Sequence, residues 1–149
     1  MSLQLAEAKS LWVSTEKLYS NRGRGEPGNQ LDTPRGTRVF FGFSPDRVPK
    51  NKIIGYVCLQ VPGYDSVVRS VRFANNEMDK VNLPVPGKGG PESYDHAYLI
   101  FDRTGHNIDN KALFRLTVTD EDGLRARQDS SVHAVNCFMA SGRKYGMLF

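Results

Sequence analysis

Leu11-Trp12-Val13, running on to Leu18-Tyr19, and Thr37-Arg38-Val39-Phe40-Phe41-Gly42-Phe43 are two apolar segments framing one polar stretch. That stretch is Asn21-Arg22-Gly23-Arg24-Gly25-Glu26-Pro27-Gly28-Asn29-Gln30-Leu31-Asp32-Thr33-Pro34-Arg35-Gly36, with Ser20 at its head. The first apolar segment alternates as a strand does, and the second is rich in β-branched and aromatic residues, so both read as strands. What separates them is too long and too polar for a tight hairpin turn, and a loop of that length in a compact domain is usually functional or disordered. Arg22, Arg24 and Arg35, with Asn21, Asn29 and Gln30, supply forked groups that match guanine and adenine edges or clamp phosphates. Gly23, Gly25 and Gly28 let a backbone come close to a ligand. The stretch reads either as an arm that grips DNA or as a solvated loop that only carries charge.

The charge distribution favours the arm. The chain has 20 Lys and Arg against 16 Asp and Glu, a net charge of +4 and a pI near 9.2, which permits nucleic-acid binding without requiring it. Between Lys17 and Lys50 lie seven basic residues (Lys17, Arg22, Arg24, Arg35, Arg38, Arg47, Lys50) and three acidic ones (Glu26, Asp32, Asp46), an excess equal to that of the whole chain.

At 149 residues the chain suits a single domain with a real core, spanning residues 1–149. Mean hydropathy is -0.46 and no apolar run is long enough for a membrane helix. Met1 to Glu7 lacks the basic start and apolar middle of a signal peptide, so the expected compartment is the cytoplasm. Cys58 and Cys137, each inside an apolar segment, read as small core residues rather than a disulfide or a metal pair.

Leu3 to Lys9 reads as a short amphipathic helix or a fraying tail, and Ser44-Pro45-Asp46 as a helix or turn start broken by Pro49. Ile53–Val61 reads as a buried strand. Val67–Ala74 alternates, with Val67, Arg69, Val71 and Phe73 on one face and Val68, Ser70, Arg72 and Ala74 on the other. Asn75–Lys80 is a polar turn and Val81–Val85 a proline-limited edge segment. Two further strands, His96–Phe101 and Ala112–Thr119, are expected to end in the turns Asp102-Arg103-Thr104-Gly105 and Asp120-Glu121-Asp122-Gly123. Val132–Met139 is a last apolar segment. Many short strands punctuated by Pro, Gly and Asp, with one or two short helices, predict an all-β barrel or sandwich.

Catalytic chemistry is thinly represented. His96, His106 and His133 are scattered and form no metal frame or nucleophile pair. Asp102 with Asp109-Asn110-Lys111 offers an acid upstream of Asp-x-Lys, the pattern of a metal-dependent nuclease, although both segments also read as ordinary turns. The expectation is a non-catalytic binding domain with no cofactor.

Several segments together resemble a B-three-like DNA-binding pseudobarrel, the C-terminal specificity domain of type IIS restriction endonucleases whose separate nuclease half is phospholipase-D-like. They are Gly36-Thr37 leading into Phe40-Phe41-Gly42-Phe43-Ser44, then Val71-Arg72-Phe73-Ala74-Asn75-Asn76 running on to Leu83. Ser93-Tyr94-Asp95-His96-Ala97-Tyr98-Leu99 ahead of Gly105, and Leu113-Phe114-Arg115-Leu116-Thr117-Val118, follow in order. Ala134-Val135-Asn136-Cys137-Phe138 before Gly142-Arg143-Lys144-Tyr145-Gly146 closes the likeness, whereas Asp46 to Asp65 is shorter than in the family. The resemblance implies a barrel of about seven strands whose two arms grip the major groove of double-stranded DNA. One arm joins the first two strands, Ser20 to Gly36. The other falls at Pro62 to Lys80 and offers Tyr64, Arg69, Arg72, Asn75 and Asn76. It further implies Arg22, Arg24 and Arg35 as guanine readers and Asn21, Gln30, Asn75 and Asn76 as adenine readers. Lys17, Arg38, Arg143 and Lys144 become phosphate contacts, with a solvated C-terminal turn as the plainer reading of the last two. The nuclease half has no room in this chain, which is then an excised recognition domain or a stand-alone protein serving a separate nuclease. Two other classes stay open. One is a structural assembly protein, such as a virion or tail component, docking through Gly146-Met147-Leu148-Phe149. The other is a small metal-dependent nuclease using Asp102, Asp109 and Lys111.

Overall fold

The computed structural model describes residues 2–20 and 25–149. A six-residue helix α1 (Ser2–Glu7) leads into β1 (Ser10–Ser14), and β2 (Gln30–Thr33) follows across the polar stretch. The next three strands form a meander of β3 (Ile53–Gln60), β4 (Val67–Phe73) and β5 (Asp79–Asn82). Two-residue strands β6 (Val85–Pro86) and β7 (Gly89–Gly90) make a small separate ladder. A long hairpin, β8 (Tyr98–Ile108) and β9 (Lys111–Thr119), precedes α2 (Glu121–Ser130) and the closing strands β10 (Ala134–Phe138) and β11 (Lys144–Leu148).

Nine of these strands form one sheet in the order β10-β11-β1-β8-β9-β3-β4-β5-β2. β3 and β9 run parallel, and the other neighbours are antiparallel. The sheet curls into a half-barrel, so that one side chain spans six strand positions. Arg143 donates from Nε to the Ser14 carbonyl at the end of β1 (3.1 Å) and from Nη2 to the Asp32 carbonyl in β2 (2.8 Å). The protein is therefore mostly β with two short helices. No helix among the described residues is long and apolar enough to cross a membrane.

Alternation along the strands fills the concave side. Leu11 and Val13 from β1, Val57 and Leu59 from β3, Leu99 and Phe101 from β8, and Phe114 and Leu116 from β9 are all buried there. Phe40, Phe41, Phe101 and Phe114 pack with ring centroids 5.1–5.4 Å apart. The Arg103 guanidinium lies over Phe40 at 4.3 Å and donates to the Leu5 and Ala8 carbonyls, which ties α1 to the core. On the convex side, α2 covers a second small cluster of Trp12, Ile100, Leu124 and Leu148.

Several sequence expectations are corrected. Thr37–Phe43 is not a strand: Thr37–Val39 is a 3₁₀ turn, and Phe40 and Phe41 plug the core. Its backbone is gathered by Asp79, whose Oδ2 accepts from Gly36 N (2.9 Å), Arg38 N (3.0 Å) and Arg38 Nε (3.2 Å). The first strand stops at Ser14 rather than running through Tyr19, which makes only an isolated bridge to Gln30. The polar stretch is not all loop, since its Gln30–Thr33 portion pairs with Asp79–Asn82. That pairing also places Val81 inside the sheet rather than at an edge.

Asp102–Gly105 does not end a strand. β8 continues to Ile108 and turns at Asp109-Asn110, both with positive φ (50° and 65°), the signature of a two-residue hairpin turn. Asp120 is a helix cap rather than a hairpin tip, and its carboxylate accepts from Gly123 N at 2.9 Å. Gly146 to Phe149 is not a free hydrophobic end: β11 lies between β10 and β1 with Tyr145 to Leu148 buried. Cys58 is buried, Cys137 partly buried, and both are free thiols.

Candidate nucleic-acid interface

The convex face of β4, β5 and β2 carries polar side chains in register. In β4, Val71 and Phe73 turn inward, and Ser70 and Arg72 outward. In β5, Asp79 and Val81 are inward, and Lys80 and Asn82 outward. In β2, Leu31 and Thr33 are inward, and Gln30 and Asp32 outward. Pairing sets Arg72 directly opposite Lys80, Lys80 opposite Asp32, and Asn82 opposite Gln30. Two cations side by side across an antiparallel pair repel, and Asp32 is the one carboxylate in that row. Its Oδ1 is 3.8 Å from Lys80 Nζ. The row keeps positive charge that an anionic ligand would neutralise.

A groove of 360 Å³ opens over this row, lined by Tyr19, Gln30 and Lys80 on one side and by Asn51, Arg72, Asn75 and Asn76 on the other. Lys80 Nζ lies 5.7 Å from the centre of the Tyr19 ring, which is exposed to solvent. The β4–β5 turn is pinned by Asn76, whose Nδ2 donates to Asp32 Oδ2 (3.1 Å) and whose Oδ1 accepts from Met78 N (3.2 Å). Asn51 is held by its N–H bond to the Phe73 carbonyl (2.6 Å) in a left-handed conformation, φ 66°. The side chains of Gln30, Asn51, Arg72 and Asn75 have no hydrogen-bond or ion-pair partner among the described residues. Beyond the same turn lies a second concavity of 580 Å³, where exposed Arg35, Arg47 and Lys50 outnumber Glu77. Arg35 Nη1 is 3.8 Å from Glu77 Oε1, both well exposed, a pair of little energetic weight.

The residues singled out from sequence separate into three groups. Gln30, Arg72, Asn75 and Asn76 converge on the groove, and Arg35 on the neighbouring concavity. Asn21, Arg22 and Arg24 lie outside the described residues, whereas Lys17 is exposed and Ser20 half-buried in the connection from β1. The rest are placed elsewhere. Arg38 is not a surface phosphate contact: it is 3% exposed, with Nη2 3.0 Å from Asp79 Oδ1 and Nη1 donating to the Asp46 carbonyl. Arg69 is turned inward, donates to the Asn82 carbonyl (3.1 Å), and has its pKa lowered by burial. Arg143 is the clip between β1 and β2, again with burial as the leading influence on its pKa, downward. Tyr64 lies in the β3–β4 turn, at the opposite end of β4 from Asn75, so Pro62 to Lys80 is not one arm but two ends of a strand. Lys144 faces the α2 side of the sheet.

Tyr19, Asn51 and Lys80, with Arg47 and Lys50, are members that residue-type reasoning left out. The signal for Lys80 is the alternation of Asp79-Lys80-Val81-Asn82, which reads as a strand once a partner is known. For Arg47 and Lys50 it is the charge excess up to Lys50. No signal in the sequence marks Tyr19 or Asn51.

Asp102 and Asp109 do not form a shared metal site. They are seven residues apart along β8 and its turn, about 20 Å in extended chain. Asp102 also bonds Ser10 Oγ and pairs with Arg127, so its carboxylate is already occupied. No cluster of three or more potential metal ligands occurs among the described residues. No protein-family model matches this chain, and comparison with curated proteins gives no match.

Proposed function

We propose that this chain reads double-stranded DNA sequence-specifically, as the non-catalytic recognition module of a restriction-modification type system built on a B-three-like pseudobarrel. The observation that carries the reading is the convex row of Arg72, Lys80 and Gln30 between two connections, β1–β2 and β4–β5. In the B-three-like architecture those two connections are the arms that enter the major groove. Asn75 and Asn76 on one side, and Gln30 with Asn21 on the other, have the bidentate chemistry for adenine edges. Arg22, Arg24, Arg35 and Arg72 have it for guanine. Lys17, Arg47, Lys50 and Lys80 supply charge along the flanking phosphates. The cutting chemistry then belongs to a nuclease domain or subunit beyond this chain.

Selection from a random duplex pool, read at two salt concentrations, tests this. A recovered consensus that persists at the higher salt is the expected result, because base-edge contacts survive screening better than counterion release. Enrichment of no sequence at either salt overturns the reading. Arg22→Ala and Arg24→Ala are expected to relax preference at single positions by roughly 1–3 kcal/mol, and Lys50→Ala to weaken all sequences alike.

A further inference from the structure

The two ends of the nine-stranded sheet are finished differently. The outer side of β2 is covered: the amides of Asn29 and Gln30 both donate to the Tyr19 carbonyl at 3.2 Å, and Arg143 caps the Asp32 carbonyl. β10, at the other end, pairs with β11 alone. Its ladder is flanked by bonds from Phe149 N to the His133 carbonyl and from Met139 N to the Arg143 carbonyl. Antiparallel bonding alternates, so Val135 and Cys137 bond toward β11, and Ala134, Asn136 and Phe138 turn their N–H and C=O groups away from it. Among the described residues nothing else bonds to them.

Natural edge strands are normally guarded by lysine, proline, a bulge or a covering loop. Ala134-Val135-Asn136-Cys137-Phe138 has no charge and no proline, and it is bracketed by Val132, 91% exposed, and Phe138, 70% exposed. The outward groups are symmetric about Asn136, which makes the edge complementary to itself. We propose that two copies of this chain pair antiparallel through β10 about a two-fold axis at Asn136. Asn136 then faces Asn136 of the second copy, and Ala134 faces Phe138. Each exposed Phe138 ring is laid against the other copy's Ala134, at the margin of the Trp12, Ile100, Leu124 and Leu148 cluster. The interface uses the end of the sheet opposite β4, β5 and β2, so it stands or falls separately from the DNA reading.

Sedimentation equilibrium of the full chain at micromolar concentrations should give a species of twice 16.7 kDa in reversible exchange with monomer. Ala134→Lys combined with Phe138→Lys opposes two lysine pairs across the axis and is expected to weaken the dimer about tenfold or more. Ala134→Lys combined with Phe138→Glu replaces them with two opposite-charge pairs and is expected to restore it, which also controls for folding. Asn136→Cys should give a covalent dimer on mild oxidation, because facing Cα atoms of a hydrogen-bonded antiparallel pair lie about 5.5 Å apart, within disulfide reach. A monomer at every concentration overturns the proposal. So does a dimer indifferent to the lysine pairs, or an Asn136→Cys chain that does not cross-link.

Discussion

Asp79 does more for this fold than any other polar residue. Its side chain is 1% exposed and holds the Arg38 guanidinium as well as two backbone N–H groups of the turn before it. Asp79→Asn leaves the Arg38 charge buried without its partner, and urea denaturation should show a loss of about 3–5 kcal/mol. Tyr94 is buried and donates its hydroxyl to the Pro84 carbonyl at 2.7 Å, and burial raises its pKa above the ordinary 10.0. Because the folded pKa is the higher one, the phenol's contribution is complete below about pH 10 and is lost as the pH rises past it. Tyr94→Phe should lose about 1–3 kcal/mol at neutral pH and show a shallower alkaline decline. Arg72 behaves in the opposite sense. It has no partner and faces Lys80, so Arg72→Thr should leave the fold as stable or up to about 1 kcal/mol more stable while weakening duplex binding. A fall in melting temperature together with unchanged binding would show that Arg72 serves the fold instead.

At the scale of elements, what is legible in the sequence is what local patterning determines. β3, β4, β8, β9 and β10 can be read because apolar or alternating residues run for several positions between turn signals. β2 and β5 escape because each is four residues long and half polar, and each is defined by its pairing to a segment about fifty residues away. Thr37–Phe43 misleads for the converse reason. Its aromatics have strand propensity, but the distant carboxylate of Asp79 bends the backbone and Phe40 and Phe41 fill the core as plugs. The β8–β9 turn is decided by Asp109 and Asn110, which tolerate positive φ. Asn110→Val should cost about 1–2 kcal/mol in a thermal melt, since a β-branched residue resists that conformation.

For the molecule as a whole, half of the candidate interface is legible and half is not. Amide and arginine content points to Gln30, Arg72, Asn75 and Asn76, and the structure gathers these four around one groove. The same residue types at Arg38, Arg69 and Arg143 are spent inside, on a buried carboxylate and on backbone carbonyls, because sequence shows a cation without showing its partner. Lys80 emerges only when the register places it between Arg72 and Asp32. The positive convex groove is the feature on which the DNA reading depends. Its most direct measurement is duplex binding by fluorescence anisotropy across a salt series, comparing the unaltered chain with Arg72→Ala combined with Lys80→Ala. The expected result is salt-dependent binding whose log–log slope becomes shallower by about 1–2 in the double variant, one counterion for each lost phosphate contact. Binding with the same slope and strength in both chains, or no salt-dependent binding in either, would contradict it.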